Sequence, residues 1–408
     1  MRLHPSSNRI LVVLFVAVLV IPALATLAGI DRPSSREENR DLAPFPSVQL
    51  TAASLRAFPD AFTKYFEDNF SFRARLVQWQ AAFRFRELRV SPSPTVIAGR
   101  DGFLFYADDG AVEDFADTEP FTTAELQLWR DILQRNQDWL SRRGIRYVFV
   151  IAPDKHVVYP ELMPAALHRV HDGSRIDQLV DYLRAHSTVN VVDLRQPLLA
   201  VSQRERLYHR TDTHWNDLGA FYAYQQIIER TGIDSLKPAS RSDFDLRDEV
   251  IPGMDLAGMI GLKDVLREDE LKLVPHQPRQ AKILEPAHPD QLLMDAKVVT
   301  ETPNASLPRL MVFRDSFSSA LIPFLSEHFS RAVYLWQYNF DPVAIEQEQP
   351  DVVIQEWVGR RLGNKSPWDA GADFEKLASS IAAAHRSAPA VRATSRTPAP
   401  ARAGRSAS

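Results

Sequence analysis

A chain of 408 residues, with 45% hydrophobic and 25% charged side chains and a formal net charge of -4, is long enough for one large domain or two smaller ones. No basic stripe stands out against the balancing acids, so nothing points to a nucleic-acid partner. Cysteine is absent, which excludes disulfides and thiolate metal sites.

In chain order, Arg2 and Arg9 precede an uncharged apolar run from Ile10 to Ile30. At about 1.5 Å per residue the run spans roughly 31 Å, close to the hydrocarbon thickness of a bilayer. That length favours an uncleaved anchor within residues 1–30 over a cleaved signal peptide, for which Ala23-Leu24-Ala25 would supply the small-residue site. The basic flank keeps the start of the chain inside and places the remaining body outside the cytoplasm. A polar, proline-bearing linker is expected over 31–50. Residues 52–90 read as largely helical, with Phe58, Phe62, Phe66 and Phe70 forming one apolar stripe expected to pack in a core, and Pro59 marking a helix start or a kink.

Residues 96–105 predict a β-hairpin around Gly99-Arg100-Asp101-Gly102. Beyond it, helices near 123–143, 175–186 and 217–230 alternate with strands at 147–152 and 189–194, the pattern of a parallel sheet covered on both faces. Residues 235–308 interrupt the rhythm with prolines and charges and are expected to be an insertion before the last strands. Strands are then predicted at 310–313, 332–336 and 352–356, with helices after the first and third. One α/β domain over 51–386 follows, and the Ala-, Ser-, Pro- and Arg-rich segment 387–408 is expected to be a disordered tail.

Two segments stand apart from the packing pattern. In Thr211-Asp212-Thr213-His214-Trp215-Asn216, residues two apart in an extended stretch project to one side, so Asp212 and His214 can reach a common site. A carboxylate beside an imidazole fixes its tautomer, as a general base requires, and Asn216 is placed to cap the following helix. A bare Asp-x-His is nevertheless most often just loop polarity. The second segment, Leu310 to Phe317, is a buried-type strand running into a helix. Ser316 at that corner either caps the helix or stands as a nucleophile at the carboxyl edge of the sheet, beside backbone N–H groups able to stabilise an oxyanion. His209, Asp212 and His214 offer at most three ligands of an incomplete metal set, and no metal or cofactor is expected.

Together the segments resemble the SGNH-hydrolase-like proteins of alginate O-acetylation, whose marks are an Asp-x-His-Trp loop and a later Asp-Ser-Phe strand end. Here these read Asp212-Thr213-His214-Trp215 and Asp315-Ser316-Phe317. The resemblance extends over about residues 36–365, through Glu38-Asn39-Arg40, Phe66-Glu67-Asp68-Asn69-Phe70, Gly102-Phe103-Leu104-Phe105-Tyr106, and Pro153-Asp154-Lys155 with Tyr159-Pro160-Glu161. It implies a flavodoxin-like sheet and a serine acyl-enzyme at Ser316, with His214 as base and Asp212 as orienting acid. It further implies acetyl transfer to an exported polysaccharide in the periplasm, with a membrane-bound O-acyltransferase supplying the acetyl groups. Arg314 replaces the glycine of Gly-Asp-Ser proteins and either favours an anionic glycan or pairs with a neighbouring acid. Lys155 and Tyr159 are candidates for substrate contact or else a surface lysine and a packed tyrosine, and Trp215 for stacking on a sugar or packing under its loop. A carbohydrate esterase with the same triad, and a non-catalytic polysaccharide-binding protein, are the alternatives.

Overall fold

A computed structural model describes residues 5–31, 41–47, 49–171, 173–285, 297–364 and 366–372. The expected tail and half of the linker lie outside these residues, as does Glu38-Asn39-Arg40. The first helix, α1, is Pro5–Ala28, and its Arg9–Ala28 portion has a mean hydropathy of 3.0 and is long enough to cross a membrane.

The body is built on a seven-stranded sheet. Its strands are β3 (Arg146–Ala152), β4 (Val191–Asp193), β7 (Lys282–Glu285), β8 (Val298–Glu301), β9 (Arg309–Arg314), β10 (Arg331–Trp336) and β11 (Val352–Val358), after an outlying hairpin of β1 (Val96–Ala98) and β2 (Leu104–Tyr106). The order is β4-β3-β11-β9-β10-β8-β7; the first five are parallel, and β8 and β7 join antiparallel at one edge. Side chains alternate between two cores. Val148, Val150, Leu310, Val312, Val352 and Ile354 face one, while Tyr147, Phe149, Ile151, Met311, Phe313 and Trp357 face the other. A strand apolar on both faces reads as a continuous hydrophobic run, which is why these strands were legible. Region 235–308 is only partly an insertion. It contributes β7 and β8 to the sheet and a long hairpin off it, β5 (Phe244–Pro252) with β6 (Arg267–Pro275).

Residues 52–90, expected to be largely helical, form helices α2 (Ala52–Asn69) and α3 (Arg73–Arg86). The break falls at Phe72, whose φ of 64° lies in the left-handed region. The aromatic stripe of α2 stacks on itself, with ring centroids 5.7, 6.5 and 6.0 Å apart from Phe58 to Phe70, and enters none of the three apolar cores. Helical periodicity identifies a face that needs a partner without identifying the partner. Asp68 and Asn69 hold the chain before α2 by accepting from Ala43 N (2.9 Å) and donating to Ala43 O (2.9 Å).

On the sheet, helices α4 (Thr123–Ser141), α5 (Arg175–His186) and α6 (Asp217–Arg230) follow the expected spans, and a further helix at Pro342–Glu348 joins β10 to β11. Asn216 caps α6 by accepting from Gly219 N at 3.1 Å. Gly219 has no substitute there. A Cβ would lie 2.3 Å from Leu207 O and 2.8 Å from Trp215 Cβ, so its absence lets the helix start close against the chain that carries His214.

Candidate active site

The Asp-x-His loop lies before α6, where no strand fixes it. Other groups do. The loop begins beside Glu268 of β6, a fully buried carboxylate that accepts from Thr211 N and Thr211 Oγ1 (both 2.7 Å) and from Arg210 N (3.1 Å), and pairs with Arg206 at 2.6 Å. Burial raises its pKa, but the Thr211 hydroxyl, the two backbone N–H groups and Arg206 outweigh it and hold Glu268 below its usual value. At the loop's middle, Asp255 accepts from Thr213 N and Thr213 Oγ1, both at 2.9 Å. The Lys155 ammonium reaches in from the end of β3 and donates to the carbonyls of His209 (2.8 Å), Arg210 (3.2 Å) and Asp212 (2.5 Å). Burial pulls its pKa down to about 8, against the opposing charges of Asp212, Asp255 and Glu268.

Within this frame Asp212 Oδ1 accepts from His214 N (2.9 Å) and from the imidazole Nδ1 (2.7 Å). Burial works against the Asp212 charge, yet the hydrogen bonds and charge of His214 hold the carboxyl well below the usual carboxylate range. An ionised carboxylate can only accept, so Nδ1 carries a proton and, in the neutral imidazole, Nε2 is the nitrogen left with its lone pair. Nε2 is shielded and has no hydrogen-bond partner among the described residues. Burial lowers the imidazole's pKa, but the Asp212 bond and the charges of Asp212 and Asp255 reverse this, and the net shift is upward.

The serine corner arrives from the sheet. The His214 ring packs on Phe317, the residue after Ser316, at 4.9 Å between centroids, and Trp215 Nε1 donates to Phe317 O at 3.0 Å. The loop and the strand end expected to meet therefore do so. Ser316 makes no side-chain capping hydrogen bond and has helical dihedrals (φ -67°, ψ -27°), so its hydroxyl is not serving as a helix cap. The helix expected after it is two short 3₁₀ turns flanking Ile322–Leu325. Phe317 N–H is committed to Asp315 Oδ1 (2.9 Å) and is not open to an oxyanion. Asp315 also accepts from Val358 N (2.9 Å), while Glu356 accepts from Asp315 N (3.2 Å) and Ser318 Oγ (2.8 Å). Burial, then the charge of Asp315, push Glu356 well above the usual carboxylic-acid range, so it keeps its proton.

The four side chains considered for substrate contact are turned into the protein. Lys155 holds the loop, and Tyr159 Oη accepts from Leu207 N at 2.8 Å. Trp215 is buried against Phe317. Arg314 is buried over Trp336, its guanidinium carbon 4.6 Å from the ring centroid, and donates to Asp315 O and Ser319 Oγ. Asp255, Glu268, Glu356 and Arg360 carried no motif. Arg360 follows β11, forms a buried ion pair with Asp154 and lies over Phe317 at 5.8 Å, where its charge acts on both His214 and Asp315. A charged residue in the apolar run 352–358 was the one available signal, for Glu356. Among the described residues, Asp212, His214 and Asp255 bring one ligand atom each within 4.8 Å of one another, and His209 is not part of that group.

The model of the SGNH hydrolase-like domain of the acetyltransferase AlgX matches residues 96–335, more than half of the chain and inclusive of the Asp-x-His loop and the serine corner. The chain belongs to this family. It is 32% identical over 150 residues to a Pseudomonas putida protein described as probable alginate O-acetylase AlgJ, a match covering 35% of each chain. The Pseudomonas aeruginosa protein of the same description is 28% identical over 203 residues, 49% of this chain and 45% of that one. These matches thus span between a third and a half of the relatives' length. The fold is shared with Bacillus cereus PatB1, with a TM-score of 0.50 and 15% identity over 67% of this chain and 98% of that one.

Proposed function

We propose that the protein is an O-acetyltransferase that acetylates hydroxyls of an exported polysaccharide through a serine acyl-enzyme. The observation that carries this reading is His214, whose Nδ1 is fixed by Asp212 and whose Nε2 is unpartnered while its ring lies on the residue after an uncapping Ser316. Ser316 Oγ attacks the acetyl carbonyl of the donor and passes its proton to His214 Nε2. The tetrahedral adduct collapses, the donor's leaving group takes that proton, and the acetyl group stays on Ser316. A sugar hydroxyl then attacks the ester, His214 accepts its proton, and the Ser316 hydroxyl is restored on release of the acetylated glycan. Asp212 stabilises the imidazolium in both halves, against the charge of the buried Arg360, which lowers the His214 pKa.

The matches to alginate O-acetylases support a polysaccharide acceptor, and the apolar helix Arg9–Ala28 supports anchoring in the inner membrane with the body in the periplasm, where a membrane-bound O-acyltransferase would deliver acetyl groups. The test is incubation of the purified protein with an acetyl-ester donor, with and without an oligosaccharide acceptor. Acetylated oligosaccharide, absent with Ser316→Ala, is the expected result. Release of free acetate that the acceptor leaves unchanged would assign an esterase, and binding without any turnover would assign a non-catalytic role.

A further inference from the structure

Helix α3 is built inside out for a soluble protein. On a helix turning about 100° per residue, Leu76, Trp79 and Phe83 fall within roughly 60° of one another. They are 42%, 66% and 57% exposed. The opposite face carries Ala81, which is buried with Val96, Leu104, Leu256, Ala257, Ile260 and Leu262. The helix therefore has an occupied apolar face and a second, uncovered one. Residues 73–86 contain no acid, and Arg75 and Arg86 on one side and Arg73 and Arg84 on the other flank the exposed stripe. A patch of this kind needs an occupant.

The chain's own connections point to what covers it. The turn that opens α3 is fastened to the end of α1. Ser71 N donates to Thr26 Oγ1 (2.8 Å), Ser71 Oγ donates to Ile30 O, Phe72 N donates to Asp31 O (3.2 Å), and Arg75 pairs with Asp31 at 3.2 Å. With residues 9–28 spanning the bilayer, α3 starts at the level where the span leaves the hydrocarbon. An aromatic and aliphatic stripe rimmed by arginines suits that level, with the rings in the acyl boundary and the guanidinium groups at anionic headgroups.

We propose that α3 docks on the bilayer surface through Leu76, Trp79 and Phe83, a reading that rests on α1 as a membrane span. Its other face reaches the site through one packed layer, since Leu256 in the same apolar cluster follows Asp255, which holds Thr213. Docking would thus fix the orientation of the His214 loop to the membrane rather than merely tether the body.

The chain has no cysteine, so single labels can be placed in the full-length protein. Leu76→Cys, Trp79→Cys and Phe83→Cys, each spin-labelled, would be reconstituted in vesicles of phosphatidylethanolamine and phosphatidylglycerol. Val16→Cys reports the span and Ser235→Cys, in an exposed loop, reports water. Circular dichroism of each labelled protein confirms the fold. Collision with dissolved oxygen should exceed collision with a nickel chelate at 76, 79 and 83, as at 16, and the order should reverse at 235. Water-like accessibility at 79 and 83 with a lipid-like signal at 16 would overturn docking while leaving the anchor intact, and would assign the stripe to a protein partner. Water-like signals at 16 as well would overturn both.

Discussion

The His214 loop is fixed by charged groups that lie off the sheet, whereas the Ser316 corner is fixed by the sheet's own strand ends and a neutral acid. Around the loop, Glu268 and Asp255 come from region 235–308 and Lys155 from the end of β3, and between them they bind backbone groups of residues 209–213. At the corner, Asp315, just past the end of β9, and Glu356, on the adjacent strand β11, bind N–H groups of 315, 317 and 358. The base half of the site should therefore respond to removal of charge, and the nucleophile half should tolerate it. Placing the two halves on different supports lets the loop be tuned without disturbing the serine.

The largest expected effect probes the nucleophile half. Ser316→Ala should lower acetyl transfer by a factor on the order of 10⁴ to 10⁶, as loss of a nucleophile does elsewhere. Its thermal midpoint should match the wild type, because no cap hydrogen bond is lost. His214→Ala should fall equally far and the double variant hardly further; near-normal transfer by a well-folded Ser316→Ala would remove the triad. Next, Glu268→Ala strands four donor contacts, the charged Arg206 among them, and should cost about 3 kcal/mol in denaturant unfolding as well as activity. A loss under about 1 kcal/mol would show that surface charges suffice to hold the loop.

A subtler effect separates charge from contact. Asp255→Asn keeps an acceptor for Thr213 but removes a charge that raises the His214 pKa. The base works when neutral, so the rate rises with pH through that pKa, and the acid limb of the profile should move to lower pH in the variant. An unmoved limb would leave Asp255 with a purely mechanical part. The smallest effect on activity is expected at the corner, where Glu356→Gln replaces an already neutral acid and should change stability by no more than about 1 kcal/mol at about pH 4, where the folded acid is neutral and the unfolded one largely so. Because the folded pKa of Glu356 is raised, its contribution is fully present below the unfolded value and is lost as pH rises towards the folded one. Unfolding measured between pH 5 and 8 should therefore slope downward less in the variant than in the wild type.

The same contrast explains what could be read from the chain alone. β3, β9 and β11 were visible as apolar runs, and Asp212, His214 and Ser316 stood at element boundaries in recognisable strings. Those are local signals. Asp255 and Glu268 meet the loop across separations of more than forty residues, from a region with weak patterning, and nothing nearby in sequence announces them. Lys155 looked like a surface cation because its three acceptors lie more than fifty residues away. The Phe58 to Phe70 stripe gave a helix and a face, but the expected core is not where that face goes.

Lys155 can be viewed as an ion that the chain carries on a tether. Three carbonyl oxygens from one short arc of backbone converge on its ammonium, as oxygens converge on a bound alkali or alkaline-earth cation, so the arc acquires a coordination centre without a binding equilibrium. Such a centre is indifferent to chelators and to ionic depletion. Its occupancy is set by protonation instead: above about pH 8 the amine retains two N–H groups for three oxygens, and the arc gives up one of its ligands.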